Sequence, residues 1–503
     1  MRLSLRALAA ASALGTFGCA TVAVPEPVPG PVGSAPPFPR PALPPAAVRG
    51  ASAEEAVPAD APADAPADAP SERPAYARLE TLPIDLPTVL RLTDANSPAI
   101  AFAGAKAREA EARLRGAELL WVPNLVAGVT YTRFDGQTQN QRGDVFAVSR
   151  ANLFASGGLG LNVDTADALY RPLIERRLSA AEQQRARTVS DFAELDAVVA
   201  YFDLVQVYAQ LEINADALAK AESMLRSATD ARAAKRDRVA GDVQRAAAEV
   251  YLRKVERADL NGRAGAASAR LARLLLLKPT VKLVPAAAAV VPVPLIDPAS
   301  TIDDLVTLAL ANRGDLAANR EAVAAALARV RRQQYGPLFP KVAVTNQTGG
   351  FGGGLNDDLQ NFSARNALSA ALVWELKGFG LVDRAETAAR RAQLDQAQIA
   401  QIEYQARAVA EIVEAAQVAA ARYEAVELTA RAVREAEELY RINKEGTLNV
   451  VDAKNLFDAL RPLQAIQVLA QSRTSYLAAV LDFNRAQYRL FALIGYAPAQ
   501  AAK

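Results

Sequence analysis

The sequence EGTLNVVDAKN (445–455) lies between two long segments rich in alanine and charged residues, at about 384–443 and 449–494. Alanine, leucine, glutamate and arginine are among the best helix formers, so both segments are predicted to be α-helices. At roughly 60 residues and about 1.5 Å per residue, the longer one would extend about 90 Å. The short sequence between them is therefore predicted to be the turn of a very long helical hairpin.

A counterpart of this turn occurs earlier in the chain, in AGDVQRAAAE (240–249). It lies between two segments of similar composition, 177–237 and 242–277. Because two such hairpins occur in one chain, we predict that the chain is built as a tandem repeat.

The beginnings of the two copies can also be aligned. TVLRLTDANSPAI (88–100) aligns with DLVTLALANRGDL (304–316), and Asn96 falls on Asn312, an offset of 312 − 96 = 216. Each copy continues with a strand-like stretch, a polar loop, a second strand-like stretch and a long helix. The predicted parts of the chain are a signal peptide (1–19), a Pro/Ala-rich disordered tether (20–81), a first repeat (82–279), a Pro-rich linker (280–299), a second repeat (300–496) and a C-terminal tail (497–503).

The predicted strands, two in each copy, cover about 124–134, 145–163, 341–351 and 363–375. In the first of them, apolar residues from Leu125 to Tyr131 alternate with small or polar ones, which is the period of a half-buried strand. Each segment can supply the roughly 10 residues that a tilted membrane-spanning strand needs. Trp121 and Trp374 fall at predicted strand–helix borders. They indicate either an interfacial aromatic belt or ordinary junction residues that fill a core.

The composition argues against catalysis and against nucleic-acid binding. The chain has no histidine, one cysteine and a formal net charge of +2. Without histidine there is no His-based triad and no Cys/His metal cluster. The stretch 349–354 is rich in glycine but lacks the spacing of a phosphate-binding motif, so we predict a flexible loop there. We therefore predict no enzyme activity, no cofactor or metal and no nucleic-acid partner.

The first residues have the features of a secretory signal. Arg2 and Arg6 precede an apolar run that ends at Gly18 and Cys19. The lone cysteine at this position predicts a lipoprotein signal, with Cys19 becoming the lipidated first residue of the mature protein. The alternative is ordinary cleavage after Ala20. Either process takes the chain out of the cytoplasm.

No later segment is predicted to be a transmembrane helix. The most apolar candidates, 271–277 and 284–295, are short and are bounded or interrupted by prolines. A membrane crossing would therefore have to use strands. Four strands per chain are too few to close a barrel, and open strand edges are not tolerated in lipid. Closure thus predicts an oligomer, in which three copies would give 12 strands.

The repeated Ala-Asn start, strand pair, long helix and hairpin turn resemble the TolC family of outer-membrane efflux proteins over about 82–496. The resemblance implies an α+β membrane protein and a homotrimer. Its 12-stranded β-barrel would lie in the outer membrane of a Gram-negative-type cell and continue as a long periplasmic α-helical barrel. It also implies docking to a periplasmic adaptor (a membrane fusion protein) and an inner-membrane transporter.

The resemblance further assigns residues to the hairpin tips. The family's second-copy tip resembles G-x-x-x-x-x-D-V-x-D, of which Gly446 and Asp452 are matched, while Asn455 replaces the second acid. This implies a periplasmic gate lined by Asp452 and Asn455. DVQRAAAE (242–249) resembles the family's D-V-Q-x-A-x-A, which places Asp242, like Gly446, in inter-helix contacts at the tips.

Physical chemistry gives Asp452 two possible roles. Three such carboxylates around a threefold axis would repel one another, recruit cations and exclude anions. Alternatively, Asn449 caps the following helix and Asp452 stabilises its first turn. Three positions depart from the family pattern: Ala453 and Arg236 stand where a valine and a glycine are usual, and Leu448 stands where some members have an arginine. The gate is therefore expected to be weaker or differently built.

The resulting functional prediction is a passive outer-membrane exit duct of a tripartite efflux system. It would conduct small molecules or drugs that an inner-membrane pump expels through a periplasmic adaptor. One alternative is an exit duct for type I protein secretion. An alternative of another class is a lipid-tethered periplasmic coiled-coil scaffold without a pore, which would not need strands with a lipid-facing alternation.

Overall fold

The computed structural model describes residues 80–233, 241–278, 280–286, 290–356, 358–448 and 459–501, without the side chains of 446–448. The predicted signal peptide with Cys19, nearly all of the tether, and the predicted gate residues Asp452 and Asn455 lie outside these ranges.

The described chain consists of two halves with the same order of helix pair, strand pair and long helices. The first half contains β1 (Glu80–Ile84), α1 (Leu86–Asn96), α2 (Pro98–Glu118), β2 (Asn124–Gln139), β3 (Val145–Asp164), α3 (Thr165–Ala233) and α4 (Asp242–Leu274). The second half contains β4 (Val281–Pro285), α5 (Ile302–Asn312), α6 (Gly314–Tyr335), β5 (Lys341–Leu355), β6 (Ser363–Val373), α7 (Leu381–Leu448), α8 (Leu460–Leu493) and a closing α9 (Pro498–Ala501).

Two helices are far longer than those of ordinary domains. Helix α3 has 69 residues and α7 has 68, so each extends about 100 Å at about 1.5 Å per residue. Helix α3 packs along α4 and α7 packs along α8, forming two hairpins. The sequence predicted that the second long helix ends near 443, but α7 continues through Gly446 to Leu448. A glycine costs only about 1 kcal/mol inside a helix, which a long packed helix can absorb.

Capping residues define where the short helix pairs begin. The Asp85 carboxylate accepts a hydrogen bond from the Thr88 N–H at 3.0 Å. At the start of α5, the Thr301 hydroxyl accepts from the Asp304 N–H at 3.2 Å, and the Asp304 carboxylate accepts from the Thr301 N–H at 3.1 Å. This reciprocal arrangement satisfies two backbone donors that a helix start would otherwise leave unpaired.

A small parallel sheet joins the beginning of the described chain to its middle. Strand β1 pairs with β4 from Glu80–Val281 to Ile84–Pro285. Strand β4 lies within the interval 280–299, which was predicted to be a Pro-rich linker. Leu283 of β4 is fully buried, and its N–H donates to the Ser268 hydroxyl at 2.7 Å.

The rest of that interval is fastened to α8 by two buried amide side chains. The Asn484 carbonyl oxygen accepts from the Val293 N–H at 2.8 Å, and its amide donates to the Val291 carbonyl at 2.9 Å. The Gln487 carbonyl oxygen accepts from the N–H groups of Leu295 and Ile296 at 3.2 and 3.1 Å. Proline has no backbone N–H to donate, so a segment with many prolines cannot pair regularly in a sheet. The side-chain amides of Asn484 and Gln487 supply hydrogen bonds instead and hold the segment against α8.

The largest apolar core lies where the long helices pass the small sheet. Its fully buried members include residues of α1, α3, α4, β4 and α8, among them Val89, Leu204, Leu271, Leu283 and Leu481. Because these residues are distant in sequence, this core joins the two halves of the chain.

Beside this core, α3 carries two carboxyl groups, those of the partly buried Asp191 and the buried Glu194. The Glu194 carboxylate accepts from the Ala499 N–H of α9 at 2.9 Å. Burial raises the pKa of Asp191 from its usual 3.8 to about 6, although nearby Arg187 opposes the shift. Burial also raises the pKa of Glu194. Between pH 3.8 and about 6, Asp191 therefore holds a proton in the folded state that it has released in the unfolded chain.

We expect Asp191→Asn to stabilise the protein at pH 7.5, with a benefit that disappears as the pH falls to 4. A carboxyl whose pKa is higher in the folded state than in the unfolded chain lowers the stability of the protein as the pH rises through these two values, here 3.8 and about 6. After a discount for solvent screening, the expected gain is about 1–2 kcal/mol. Urea titrations at pH 4, 6 and 7.5 measure it. A gain of equal size at all three values would contradict the electrostatic explanation.

Candidate functional site

The long strands form a four-stranded antiparallel sheet in the order β2-β3-β5-β6. The central pairing joins the two halves of the chain, with β3 and β5 in register from Arg150–Leu355 to Asp164–Lys341. Strands β2 and β6 lie at the edges, each with one strand neighbour among the described residues. Such exposed edges are templates for pairing with another chain.

The glycine-rich stretch 349–354 belongs to this sheet, and the prediction of a flexible loop there was wrong. It lies within β5 and pairs on one side with β3, while its first residues also pair with β6. Strand β5 therefore extends to Leu355, beyond the predicted end at 351. Two neighbouring strands supply the hydrogen bonds that compensate for the low strand propensity of glycine.

Register and alternation give the sheet two different faces. Side chains of a strand point alternately to its two sides, so the pairings assign every residue to one face. The apolar face carries Leu125, Val129, Tyr131, Leu153, Leu159, Leu161, Val342, Val344, Leu368 and Leu372. The small-residue face carries Gly128, Thr130, Thr132, Ser156, Gly158, Gly160, Thr345, Gln347, Gly349, Ala367 and Ser369. Leu125 is 82% exposed and Leu368 71% exposed in the single chain, so the apolar face has no cover there.

Polar side chains on the apolar face pair with one another. The Asn366 amide donates to the Thr348 hydroxyl at 2.8 Å. Near the β2–β3 loop, the Arg133 Nε lies 2.6 Å from an Asp135 carboxylate oxygen, and Ser149 donates to the same carboxylate. Pairing of this kind lowers the cost of placing polar groups in an apolar environment.

Glycines on the small-residue face allow the strands to approach closely. A Cβ at Gly349 would overlap the Ala155 carbonyl oxygen, and a Cβ at Gly158 would overlap the Asn346 carbonyl oxygen. Gly350, which points to the apolar face, has open space around its Cβ position. Glycine is expected at positions such as 158 and 349, where neighbouring backbones approach closely.

Both tryptophans lie where the sheet meets the helices. Trp121 is in a single 3-10 turn just before β2 and is 51% exposed, and Trp374 follows β6 directly and is 60% exposed. Neither is enclosed in a core of the single chain. Their role as interfacial aromatics stays a prediction.

At the tips of the hairpins the structure describes part of the predicted constellation. Asp242 is the first residue of α4 and is 2% exposed, with one carboxylate oxygen 3.2 Å from Arg245. Its other oxygen has no hydrogen-bond partner among the described residues. Gly446 lies within the last turn of α7. Their predicted inter-helix contacts and the gate formed by Asp452 and Asn455 stay predictions.

Charged side chains connect the two hairpins above their tips. Arg473 of α8 contacts Asp216 of α3 and Glu437 of α7, both at 2.7 Å. Nearer the tips, the Gln467 amide of α8 donates to Glu249 of α4 at 2.7 Å. No local sequence signal could have predicted these contacts, because the partners lie on helices that only the fold brings together.

The described residues contain no helical candidate for a membrane span and no metal site. Within the described ranges, none of the helices combines the length and hydrophobicity needed to cross a bilayer. In the same ranges, no group of three or more carboxylate or thiol side chains is placed to hold a metal ion.

Comparison with solved structures identifies the fold. A membrane protein from Pseudomonas aeruginosa is 18% identical, with a TM-score of 0.67 over 82% of this chain and 92% of that one. The outer-membrane protein VceC of Vibrio cholerae is 19% identical, with a TM-score of 0.64 over 82% of this chain and 96% of that one. The open outer-membrane channel MtrE of Neisseria gonorrhoeae is 16% identical, with a TM-score of 0.60 over 82% and 89%.

These likenesses show that the chain has the fold of outer-membrane channels. They confirm, at the level of the fold, the resemblance to the TolC family. No protein-family model and no curated protein sequence matches the chain.

Proposed function

We propose that the protein is an outer-membrane exit duct of a tripartite efflux system, belonging to the TolC family and assembled as a homotrimer. Three four-stranded sheets would close into a 12-stranded barrel (3 × 4) with the apolar face toward lipid. The long hairpins would continue it as a periplasmic tube. Small molecules or drugs would pass through the lumen, driven by an inner-membrane pump and a periplasmic adaptor.

The observation that carries the proposal is the two-faced sheet with unpaired edges. A lipid-facing strand must alternate apolar and polar residues, and its backbone must be fully paired because the hydrocarbon offers no hydrogen bonds. The apolar face meets the first requirement within one chain. The second requires the edges β2 and β6 to pair with other copies, and the barrel is the closed solution.

Apolar residues exposed on the helices support the same assembly. On α7, Ile399 and Ile402 are 65% and 66% exposed, and on α4, Tyr251 and Val255 are 68% and 67% exposed. Large apolar side chains exposed along one helix face mark a surface that another chain covers. In a ring of three copies, these helices would contact their neighbours.

Purified protein reconstituted into planar bilayers is expected to give discrete conductance steps. Light scattering in detergent is expected to give the mass of a trimer. A monomer that is soluble without detergent and gives no steps would instead support the periplasmic scaffold.

We further propose that Asp452 narrows the pore at the tip. Asp452→Ala should increase the single-channel conductance severalfold and reduce cation selectivity, because it would remove three converging carboxylates. Asp303→Ala, which removes an exposed carboxylate from the first turn of α5, is the control. Unchanged steps in Asp452→Ala would leave the duct intact and give Asp452 its capping role.

A further inference from the structure

Two arginines and three phenylalanines come together on the small-residue face. They come from all four strands and are called here the Arg–Phe cluster: Phe134, Arg150, Phe154, Phe351 and Arg365. The Arg150 guanidinium lies 5.5 Å from the centre of the Phe134 ring. That of Arg365 lies 5.4 Å from the Phe154 ring and 4.8 Å from the Phe351 ring. The rings of Phe154 and Phe351 meet edge to face at 6.2 Å.

The charges of this cluster are not neutralised by an acidic group in the described chain. On the opposite face, Arg133 pairs with Asp135. Arg150 and Arg365, by contrast, are exposed and make no ion pair with a described residue. A ring face holds the guanidinium that lies over it, and the N–H donors of the guanidinium point outward in the plane of the guanidinium itself. Each arginine is therefore positioned to bind an anion.

The position of the cluster suits contact with a solute. Arg150 and Phe134 are cross-strand partners close to the β2–β3 loop, and Arg365 lies near the start of β6, close to the β5–β6 loop. If the small-residue face lines a lumen, three copies place six arginines (3 × 2) and nine phenylalanines (3 × 3) around its loop end. Several neighbouring positions on this face, such as Thr132, Ser156 and Gly349, carry a small side chain or none.

We propose that the Arg–Phe cluster is a binding site for aromatic organic anions, and that such anions are a substrate class of the duct. A guanidinium recognises a carboxylate or sulfonate through paired, charge-assisted hydrogen bonds. The phenylalanine rings offer faces and edges to an aromatic ring of the same molecule. The site rests on the proposed function, because only a lumen gives the solute access to this face. Conduction requires that such binding be weak enough for release.

The test is whether a probe blocks the single-channel current when it is added on the side of the β2–β3 and β5–β6 loops. Ion selectivity alone would not isolate the cluster, because the proposed ring of Asp452 at the hairpin tips would also change it. The probe is 2-naphthalenesulfonate. Methanesulfonate has the charge without the ring, and 2-naphthalenemethanol has the ring without the charge. Wild type is expected to be blocked by the first probe at concentrations where the other two have no effect.

Two variants separate the contributions of charge and ring. Arg150→Gln/Arg365→Gln should weaken the block by 2-naphthalenesulfonate at least about tenfold, since charge-assisted hydrogen bonds are lost. Phe154→Leu/Phe351→Leu should weaken the block by 2-naphthalenesulfonate severalfold. The variant should then show little preference for this probe over methanesulfonate. Arg142→Gln removes the same charge from the β2–β3 loop and should leave the block unchanged.

The outcomes distinguish this proposal from the proposed function. Conductance without block, or equal block by all three probes, would overturn the site and keep the duct. If Arg142→Gln weakens the block as much as Arg150→Gln/Arg365→Gln does, the block depends on the general charge near the loops, and the site is overturned as well. Absence of any conductance would refute the duct, and the site with it.

Discussion

Replacing Gly349 with alanine is expected to prevent the central pairing of the sheet. The new Cβ would overlap the Ala155 carbonyl oxygen and lie 2.6 Å from the Ser156 Cα. Both are backbone atoms of β3, which cannot turn away as a side chain would. Overpacking of side chains usually costs about 1–3 kcal/mol, and a clash with a paired backbone is expected to exceed this range. Because β3 and β5 join the two halves, their separation would split the sheet.

The neighbouring residue provides a matched control. Gly350 is on the same strand and has nothing within 4 Å of its Cβ position, so Gly350→Ala adds the same methyl group without a clash. The two tryptophans of the chain, Trp121 and Trp374, flank the sheet. Their emission during a urea titration therefore reports on this region, while circular dichroism at 222 nm reports on the helices. Tryptophan transitions of equal midpoint in the two variants would contradict the predicted clash.

Features with a local sequence signal could be predicted without the structure. The alternation from Leu125 to Tyr131 predicted β2 because one face of that strand is apolar, and the alanine-rich segments predicted α3 and α7. The fold class was predictable for the same reason, since the two halves repeat these signals in the same order. The lengths of β2 and β5 were underestimated, because glycine and polar residues at their ends weaken the signal, whereas β6 ends two residues before its predicted end at 375.

Features that depend on distant partners could not be predicted. Strand β4 was not predicted, because it lies in a Pro-rich interval and its partner β1 is about 200 residues away, in the register that pairs Glu80 with Val281. The stretch 349–354 was interpreted as a loop because glycine has low strand propensity, although the close approach of β3 requires it. The Arg–Phe cluster was missed since its members belong to four strands, and only the register places Arg365 beside Phe154.

Arg313→Met is expected to destabilise the helical region by about 3–5 kcal/mol, the usual cost of removing one partner from a buried ion pair. Arg313 is 7% exposed, and its guanidinium contacts Asp315 at 2.7 Å and Glu411 of α7 at 2.8 Å. Burial alone lowers the pKa of this group, but hydrogen bonds with both carboxylates outweigh it and hold the pKa above its usual value. Methionine would fill the space and leave both carboxylates without their partner.

The loss should come from the carboxylates left without their partner, and it should be absent at an exposed pair. Partly buried carboxylates that lose their cation destabilise the folded state while they are charged. Glu411→Gln in the Arg313→Met background should restore part of the stability at pH 8. Arg407→Met breaks an exposed pair with Glu403 on α7, and should cost at most about 0.5 kcal/mol. Urea titrations followed at 222 nm measure all three variants, and equal losses in Arg313→Met and Arg407→Met would show that burial of the Arg313 pairs has no energetic consequence.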